Sequence, residues 1–274
     1  RAGLARDPLS EPKLLVVGGV MRGGTTLLRG ILASHPAIAL FSRELRALAW
    51  HGRPLLLHVA QVHHHLLLAN RWIRHPEFYR QVYRYLWCMV RENGLFGERV
   101  TVGMCHSAFA ACLAQDGKLY VGDKYPDYVF HHQQFVQRPD CRMILIVRDP
   151  RDVIASILQR IRKGDWAGRS WAKKYSSVDG ASHYWNEAAR VMASLNHPNS
   201  GALVIRYEDL VTEGHNTTAR IAGYLELDAC GFNSSAGHKN SLSKHKQVLD
   251  EREVREIEQR TAGLMATFGY RSIH

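Results

Sequence analysis

The chain has 274 residues, 46% of them hydrophobic, and a formal net charge of +11. That is enough apolar material for one large α/β domain, or one with a small helical insert, and no stretch reaches the ~18 apolar residues that span a membrane. The charge points to a polyanionic partner, but the chain has no nucleic-acid module and no aromatic–basic repeat, which favours a highly charged small cofactor or an acidic acceptor over nucleic acid.

Arg1–Pro12 reads as a polar leader without the apolar centre of a signal peptide. The chain lacks an initiator Met, so it is expected to be trimmed, and any membrane link is expected only through an anchor lost with the missing part. Residues 13–274 are expected to form a single domain. Lys13–Gly18 predicts a first strand, its run Leu14-Leu15-Val16-Val17 suited to burial on both faces of a parallel sheet. Thr25–Ser34 predicts a helix, with Leu27, Leu28, Ile31 and Leu32 at helical spacing and His35-Pro36 as its stop. Between them lies a glycine turn. Strand, glycine turn and helix start bring backbone N–H groups and a helix dipole to an anion. Gly19, four residues, Gly24, Thr25, Thr26 has the spacing of the triphosphatase loop GxxxxGK[ST], with Thr25 in place of its lysine. The phosphate cradle remains, the triphosphate clamp is lost, and Arg22 supplies a cation from within the loop.

Ile38–Phe41 predicts a short strand, followed by Ser42-Arg43-Glu44-Leu45-Arg46. Pro54–Asn70 and Pro76–Asn93 predict two helices, the second with Phe78, Val82, Tyr85, Leu86 and Met89 on one face. His51, His58 and His63–His65 could suggest a metal cluster, but consecutive helical residues point apart, so a solvated helix face is preferred and no metal is expected. Leu119–Val121 predicts a strand ending at Asp123-Lys124-Tyr125-Pro126, and Asp127–Gln137 a helix. Met143–Val147 predicts a buried strand, Val153–Arg162 a helix opened by Pro150, and Lys163–Ser177 a mobile loop beside the site. Gly180–Asn196 reads as a helix, Ala202–Arg206 as a strand ended by Tyr207-Glu208-Asp209, and Asn216–Leu225 as a helix. Gly231–Lys246 reads as irregular and basic, and Asp250–Phe268 as a closing amphipathic helix. The five cysteines (88, 105, 112, 141, 230) contain no CxxC and suggest neither a metal site nor a disulfide framework. Asn216-Thr-Thr and Asn233-Ser-Ser are sequons, meaningful only in a secreted chain. Alternating strands and helices predict a P-loop-like central parallel sheet flanked by helices. Ligands gather at the carboxyl ends of such strands, which places the first loop, Lys124, Arg148 and Tyr207 on one rim.

Those landmarks resemble the sulfotransferase superfamily, enzymes that use 3′-phosphoadenosine 5′-phosphosulfate (PAPS), over about Leu14–Tyr270. Arg22-Gly23-Gly24-Thr25-Thr26 resembles the family's 5′-phosphosulfate loop, commonly Pro-Arg-Ser-Gly-Thr-Thr, with Met21 for the proline and Gly23 for the serine. Arg148, Ser156 and Arg160 are similar to its 3′-phosphate site. Ser156 and Arg160 are a helical turn apart, so one phosphate could meet two guanidinium groups and a hydroxyl. Glu44-Leu45-Arg46 resembles the Glu-x-Arg of the tyrosylprotein sulfotransferases and their bacterial relatives, shifted by one residue. Asp123-Lys124-x-Pro126 resembles that group's catalytic lysine motif, Tyr207-Glu208-Asp209-Leu210 a turn whose tyrosine lies near the nucleotide, and Leu242-Ser243-Lys244 a segment whose lysine reaches the cofactor.

The resemblance implies metal-independent, in-line transfer of a sulfuryl group from PAPS to an acceptor hydroxyl, leaving adenosine 3′,5′-bisphosphate. It implies Glu44 as general base, Lys124 on the leaving phosphate oxygen, and Arg22, Thr25 and Thr26 on the phosphosulfate. Against these stand a surface Glu44 paired with Arg43 or Arg46, and His106 as rival base, for which a packed helical position is preferred. Trp166 and Trp171 either gate the acceptor or cover the core. A protein tyrosine or glycan acceptor, such as an acidic peptide, is favoured over a small molecule. A P-loop kinase or triphosphatase and a non-catalytic polyanion-binding module are the other readings. A homodimer is compatible with the sequence, and the compartment would be the Golgi lumen in a eukaryote or the cytoplasm in a bacterium.

Overall fold

A computed structural model describes residues 11–68, 75–94, 99–114, 117–233 and 242–272. Most of the expected polar leader, the Ser-Ser of the second sequon and 234–241 of the basic segment lie outside the described residues.

Among the described residues, five strands form one fully parallel sheet: β1 (Lys13–Gly19), β2 (Ile38–Leu40), β3 (Tyr120–Lys124), β4 (Cys141–Val147) and β5 (Ala202–Arg206), in the order β2-β3-β1-β4-β5. β1 is the central strand, and its alternate residues feed two cores. Leu14 and Val16 join the larger cluster on one face, Leu15 and Val17 the smaller cluster on the other. Burial on both faces explains the unbroken apolar runs of β1 and β4. The helices are α1 (Thr25–Ser34), α2 (Leu55–Leu68), α3 (Pro76–Asn93), α4 (Val102–Leu113), α5 (Pro150–Arg162), α6 (Val178–Leu195), α7 (Tyr207–Thr212), α8 (Gly214–Leu225), α9 (His245–Val248) and α10 (Glu251–Thr267). Residues of α1, α7 and α8 pack on the smaller cluster, and residues of α3–α6 and α10 on the larger.

Local chemistry sets the element ends. Pro76 and Pro150 occupy first-turn positions, where a missing N–H costs nothing. The Asp149 side chain accepts the Arg151 amide at 2.9 Å, and Asp250 with Glu253 closes a capping box on α10.

The expected boundaries of α1, α3 and β5 coincide with those observed. The expected helix Asp127–Gln137 is instead a 3-10 helix, Pro126–Gln134. The Tyr207 turn is a short helix, and the Lys163–Ser177 loop contains a 3-10 turn, Ser170–Tyr175. The sequence reading has no element at α4. That helix has apolar residues on nearly all sides, Cys105, Ala108, Phe109 and Cys112 among its buried ones, so it lacks the one-sided periodicity of a surface helix. Thr101, whose hydroxyl accepts the Met104 amide at 3.1 Å, was the available start signal.

Candidate active site

The carboxyl ends of the strands form one rim. Register pairs Val17 with Lys124 and Val147 with Arg206, so the loop after β1, Lys124, Arg148 and Tyr207 leave the sheet on the same side. The crossover from β3 to β4 on opposite sides of β1 opens the crevice there.

The loop is shaped by its glycines and by one strained residue. The Gly23 amide closes a turn onto the Val20 carbonyl at 2.9 Å. Arg22 has φ 66° and Gly24 φ 100°, left-handed values that an L side chain adopts only at a cost. A Cβ on Gly24 would come within 2.2 Å of the Tyr207 ring. The loop thus folds because position 24 is glycine, and Tyr207 lies directly against it. Met21 donates its amide to the Tyr184 hydroxyl at 2.8 Å, which ties the loop to α6.

Around the loop the structure gathers cations. The Arg22 Nε donates to Ser156 Oγ at 3.1 Å, and Arg148 reaches the Arg22 carbonyl at 3.4 Å while its guanidinium stacks 4.2 Å over the Tyr207 ring. Burial and then the charges of Arg160 and Arg148 lower the Arg22 pKa. Burial, followed by Arg22, Arg148, Arg160 and Lys163, lowers that of Lys244. Four cationic side chains, Arg22 from the loop, Arg148 just past β4, Arg160 from α5 and Lys244 before α9, therefore repel one another in a partly desolvated cleft. An anion between them would relieve that repulsion, and their donors suit phosphate oxygens. Arg160 is half-exposed and bound to Asp165 at 2.9 Å.

Two further residues hold this cluster. Asp152, buried at the start of α5, accepts Arg148 at 3.3 Å and both the amide (3.0 Å) and the Nδ1 (2.7 Å) of His245. Burial pushes its carboxyl up, but the His245 and Arg148 contacts outweigh that and leave its pKa below the usual range. Glu208 accepts the Asp149 amide at 3.1 Å and the Tyr270 hydroxyl at 2.8 Å, binding the ends of β4 and β5 to the C-terminal segment. The sequence reading assigns neither residue a role, because the contacts that bind other segments, Glu208 to Asp149 and Asp152 to His245, span 59 and 93 positions.

On the other side of the loop stands Glu44. Its Oε1 accepts Lys124 Nζ at 2.6 Å and its Oε2 accepts Arg46 at 2.9 Å. Lys124 also reaches the Thr26 hydroxyl at 3.3 Å. Burial raises the Glu44 pKa, but Lys124 and Arg46 together bring it below the ordinary value, so the group is a carboxylate at neutral pH. Arg43, the other expected partner, turns to His75 at 2.7 Å. Arg46 stacks 4.5 Å over Tyr125.

Two cavities meet at Glu44 and Thr26. One, of about 780 Å³, is lined by the loop, Arg148 and Tyr207, and by Tyr125, Trp166, Trp171 and Tyr184. Trp166 and Trp171 are therefore cavity walls, in ring contact at 5.0 Å, with Trp171 partly exposed. The other, of about 710 Å³, carries Arg29, Arg43, Arg80 and Lys124.

The rival base and the candidate metal-ligating His58 lie elsewhere. His106 Nε2 is 2.7 Å from the Pro12 carbonyl, just before β1 begins and thus at the opposite end of the sheet from the loop. His58, expected on a solvated face, is a core residue. Its Nδ1 lies 3.3 Å from the Trp50 carbonyl and its Nε2 2.8 Å from the Tyr85 hydroxyl. Among the described residues no group of three His, Cys, Asp or Glu is arranged to hold a metal ion.

A parallel sheet with a phosphate-type loop on its central strand and a cation cluster at the switch point defines a P-loop-like α/β protein built to hold a multiply charged anion. Comparison with known proteins narrows the class. The model of the sulfotransferase family matches residues 12–230, so the chain belongs to that family and is a PAPS-dependent sulfotransferase. It is 28% identical over 251 residues to a Caenorhabditis briggsae protein provisionally named a protein-tyrosine sulfotransferase, covering 88% of this chain and 74% of that protein. Among solved structures, the sulfotransferase domain of the curacin biosynthetic pathway aligns over 96% of this chain and 99% of its own, with TM-score 0.56 and 18% identity. A sulfotransferase from Alicyclobacillus acidocaldarius aligns over 94% of each chain, with TM-score 0.55 and 13% identity. At those identities the two structures speak for the fold.

Proposed function

We propose that the protein moves the sulfuryl group of PAPS to the hydroxyl of a tyrosine or glycan acceptor, with Glu44 and Lys124 as its catalytic pair. The observation that carries this reading is the Lys124–Glu44 contact, 2.6 Å long, at the lip of a phosphate-type loop. It places a proton acceptor for the attacking oxygen and a cation for the leaving oxygen side by side at the transfer site.

PAPS, when bound, supplies the activated sulfuryl group. Arg22, Gly23, Gly24, Thr25 and Thr26 would hold its phosphosulfate end, and Arg148, Ser156, Arg160 and Lys244 its 3′-phosphate, with Tyr207 beside the nucleotide. Glu44 would accept the proton of the acceptor hydroxyl as that oxygen replaces the 5′-phosphate oxygen on sulfur. Lys124, already within reach of Thr26, neutralises charge on the phosphate oxygen released. As long as Lys124 and Arg46 both hold Glu44, the carboxylate is a weak base. Transfer of Lys124 towards the leaving oxygen strengthens it. The tyrosine preference draws support from the name of the Caenorhabditis relative, and Arg29, Arg43 and Arg80 in the adjoining cavity suit an acidic acceptor.

The test is calorimetric titration with adenosine 3′,5′-bisphosphate without added metal, with ATP as control. Wild-type protein binds the bisphosphate and discriminates against ATP, and Arg148→Ala weakens binding at least tenfold, ~1.4 kcal/mol. Equal binding by the Arg148→Ala protein would remove the assignment of the 3′-phosphate site.

A further inference from the structure

Asp123 precedes Lys124 at the end of β3 and is fully buried. Its Oδ1 accepts the Leu45 amide at 3.1 Å, and its Oδ2 accepts the Arg46 amide at 2.8 Å and the Tyr128 hydroxyl at 2.6 Å. The two amides belong to the residues that follow Glu44. Arg46 has φ 65°, a conformation a long side chain adopts only when its surroundings impose it. No secondary-structure ladder holds residues 42–46. The Asp123 carboxylate fastens the main chain of this turn to the sheet, beside the Glu44–Lys124 ion pair and the buried Leu45 side chain. Asp123 is therefore joined to both members of the reacting pair, through the main chain to Lys124 and through hydrogen bonds to the turn carrying Glu44.

We infer that Asp123 is a positioning residue that sets the spacing of Glu44 and Lys124 by clamping the 44–46 turn onto the end of β3. The inference rests on the roles proposed above for those two residues. Only the ionised carboxylate can accept these hydrogen bonds at full strength, since a protonated one places a hydrogen where a donor now points. Burial pushes the Asp123 carboxyl up to about 6, with the Tyr128, Leu45, Arg46 and Lys124 hydrogen bonds opposing the rise. The other titratable groups facing it are Arg29 from α1, Tyr85 from α3 with Cys105 of α4 behind it, and Glu44, Arg46 and Lys124 from the site itself. The turn consequently loosens as pH falls through about 6.

Asp123→Asn and Tyr128→Phe test this, each alone and the first also with Glu44→Gln. Asp123→Asn is expected to lower kcat tenfold or more while acceptor KM and adenosine 3′,5′-bisphosphate affinity stay within about twofold. Combined with Glu44→Gln it adds little further loss, because both act on one contact. Tyr128→Phe deletes a donor to the ionised form, so the acid limb of kcat moves to higher pH. Amide hydrogen exchange at Leu45 and Arg46, read without any substrate, is faster in Asp123→Asn while the β1 and β4 amides are unchanged. Full additivity with Glu44→Gln, an unmoved acid limb in Tyr128→Phe, or unchanged exchange at 45 and 46 each overturns the inference. A wild-type protein whose kcat is unaffected by Glu44→Gln overturns the reading of Glu44 instead, and leaves the exchange experiment to decide on the clamp.

Discussion

Glu44 shows how a single carboxylate is prepared by its neighbours. Two cations hold its pKa down against burial, so its ionisation is secure and its basicity depends on Lys124 moving away. Glu44→Gln keeps the shape and removes the proton acceptor. The role proposed for Glu44 predicts that kcat falls by ~10²-fold or more, the usual range for loss of a general base, with bisphosphate affinity nearly unchanged. Steady-state kinetics beside calorimetry separates the two effects. Gly24 is the other residue whose identity is forced. Ala there must adopt φ 100° and push its Cβ into the Tyr207 ring. Gly24→Ala is expected to cost ~1–3 kcal/mol of stability and to weaken bisphosphate binding more than tenfold. Chemical denaturation and titration of the same preparation check both.

Elements deliver these residues. α5 begins beside the end of β4, and its first turns carry Asp152 and Ser156 on the side facing the loop. Asp152 ties α5 to α9, and that tie carries Lys244 to the cation cluster. Asp152→Asn leaves the histidine bond weaker and Arg148 without its carboxylate partner. It is expected to reduce bisphosphate affinity several-fold and to speed proteolysis around 242–248, while the melting temperature changes little. A mass map of limited digestion showing no new cleavage there would contradict the latch. The segments carrying Glu44 and Lys124 meet in the same way, through Asp123, although β2 and β3 are separated in sequence by α2, α3 and α4.

At the scale of the molecule, two apolar layers enclose the sheet, and His58 is a fully buried polar side chain against Tyr85 and Trp50 of the larger one. Burial, with Arg53 and His51 adding to it, lowers its pKa to about 4 against the Trp50 hydrogen bond. The ordinary value is 6.5, so the unfolded chain takes the proton first as pH falls. The His58 contribution is fully present above pH 6.5 and is lost as pH falls towards 4, on the order of 3 kcal/mol over that span. Denaturant midpoints measured from pH 7.5 to 4.5 are expected to fall more steeply for wild type than for His58→Gln. Parallel curves would count against the buried, neutral imidazole.

Much of this architecture is visible in one dimension. The apolar runs of β1 and β4, the glycine spacing of the loop, the one-sided face of α3 and the Pro150 start of α5 are local signals, because hydrophobic period, φ preference and capping depend on neighbours in the chain. They sufficed to predict the parallel sheet and to place the loop, Lys124, Arg148 and Tyr207 on one rim. What lay beyond them is contact at long separation. That His58 is core and His106 lies at the far end of the sheet, that Lys124 rather than Arg43 takes Glu44, and that Asp123, Asp152 and Glu208 hold the site together all depend on which segments fold against each other. Hydrogen bonds between residues 60 or 90 positions apart leave no periodic trace in a single sequence, so only the tertiary structure could decide them.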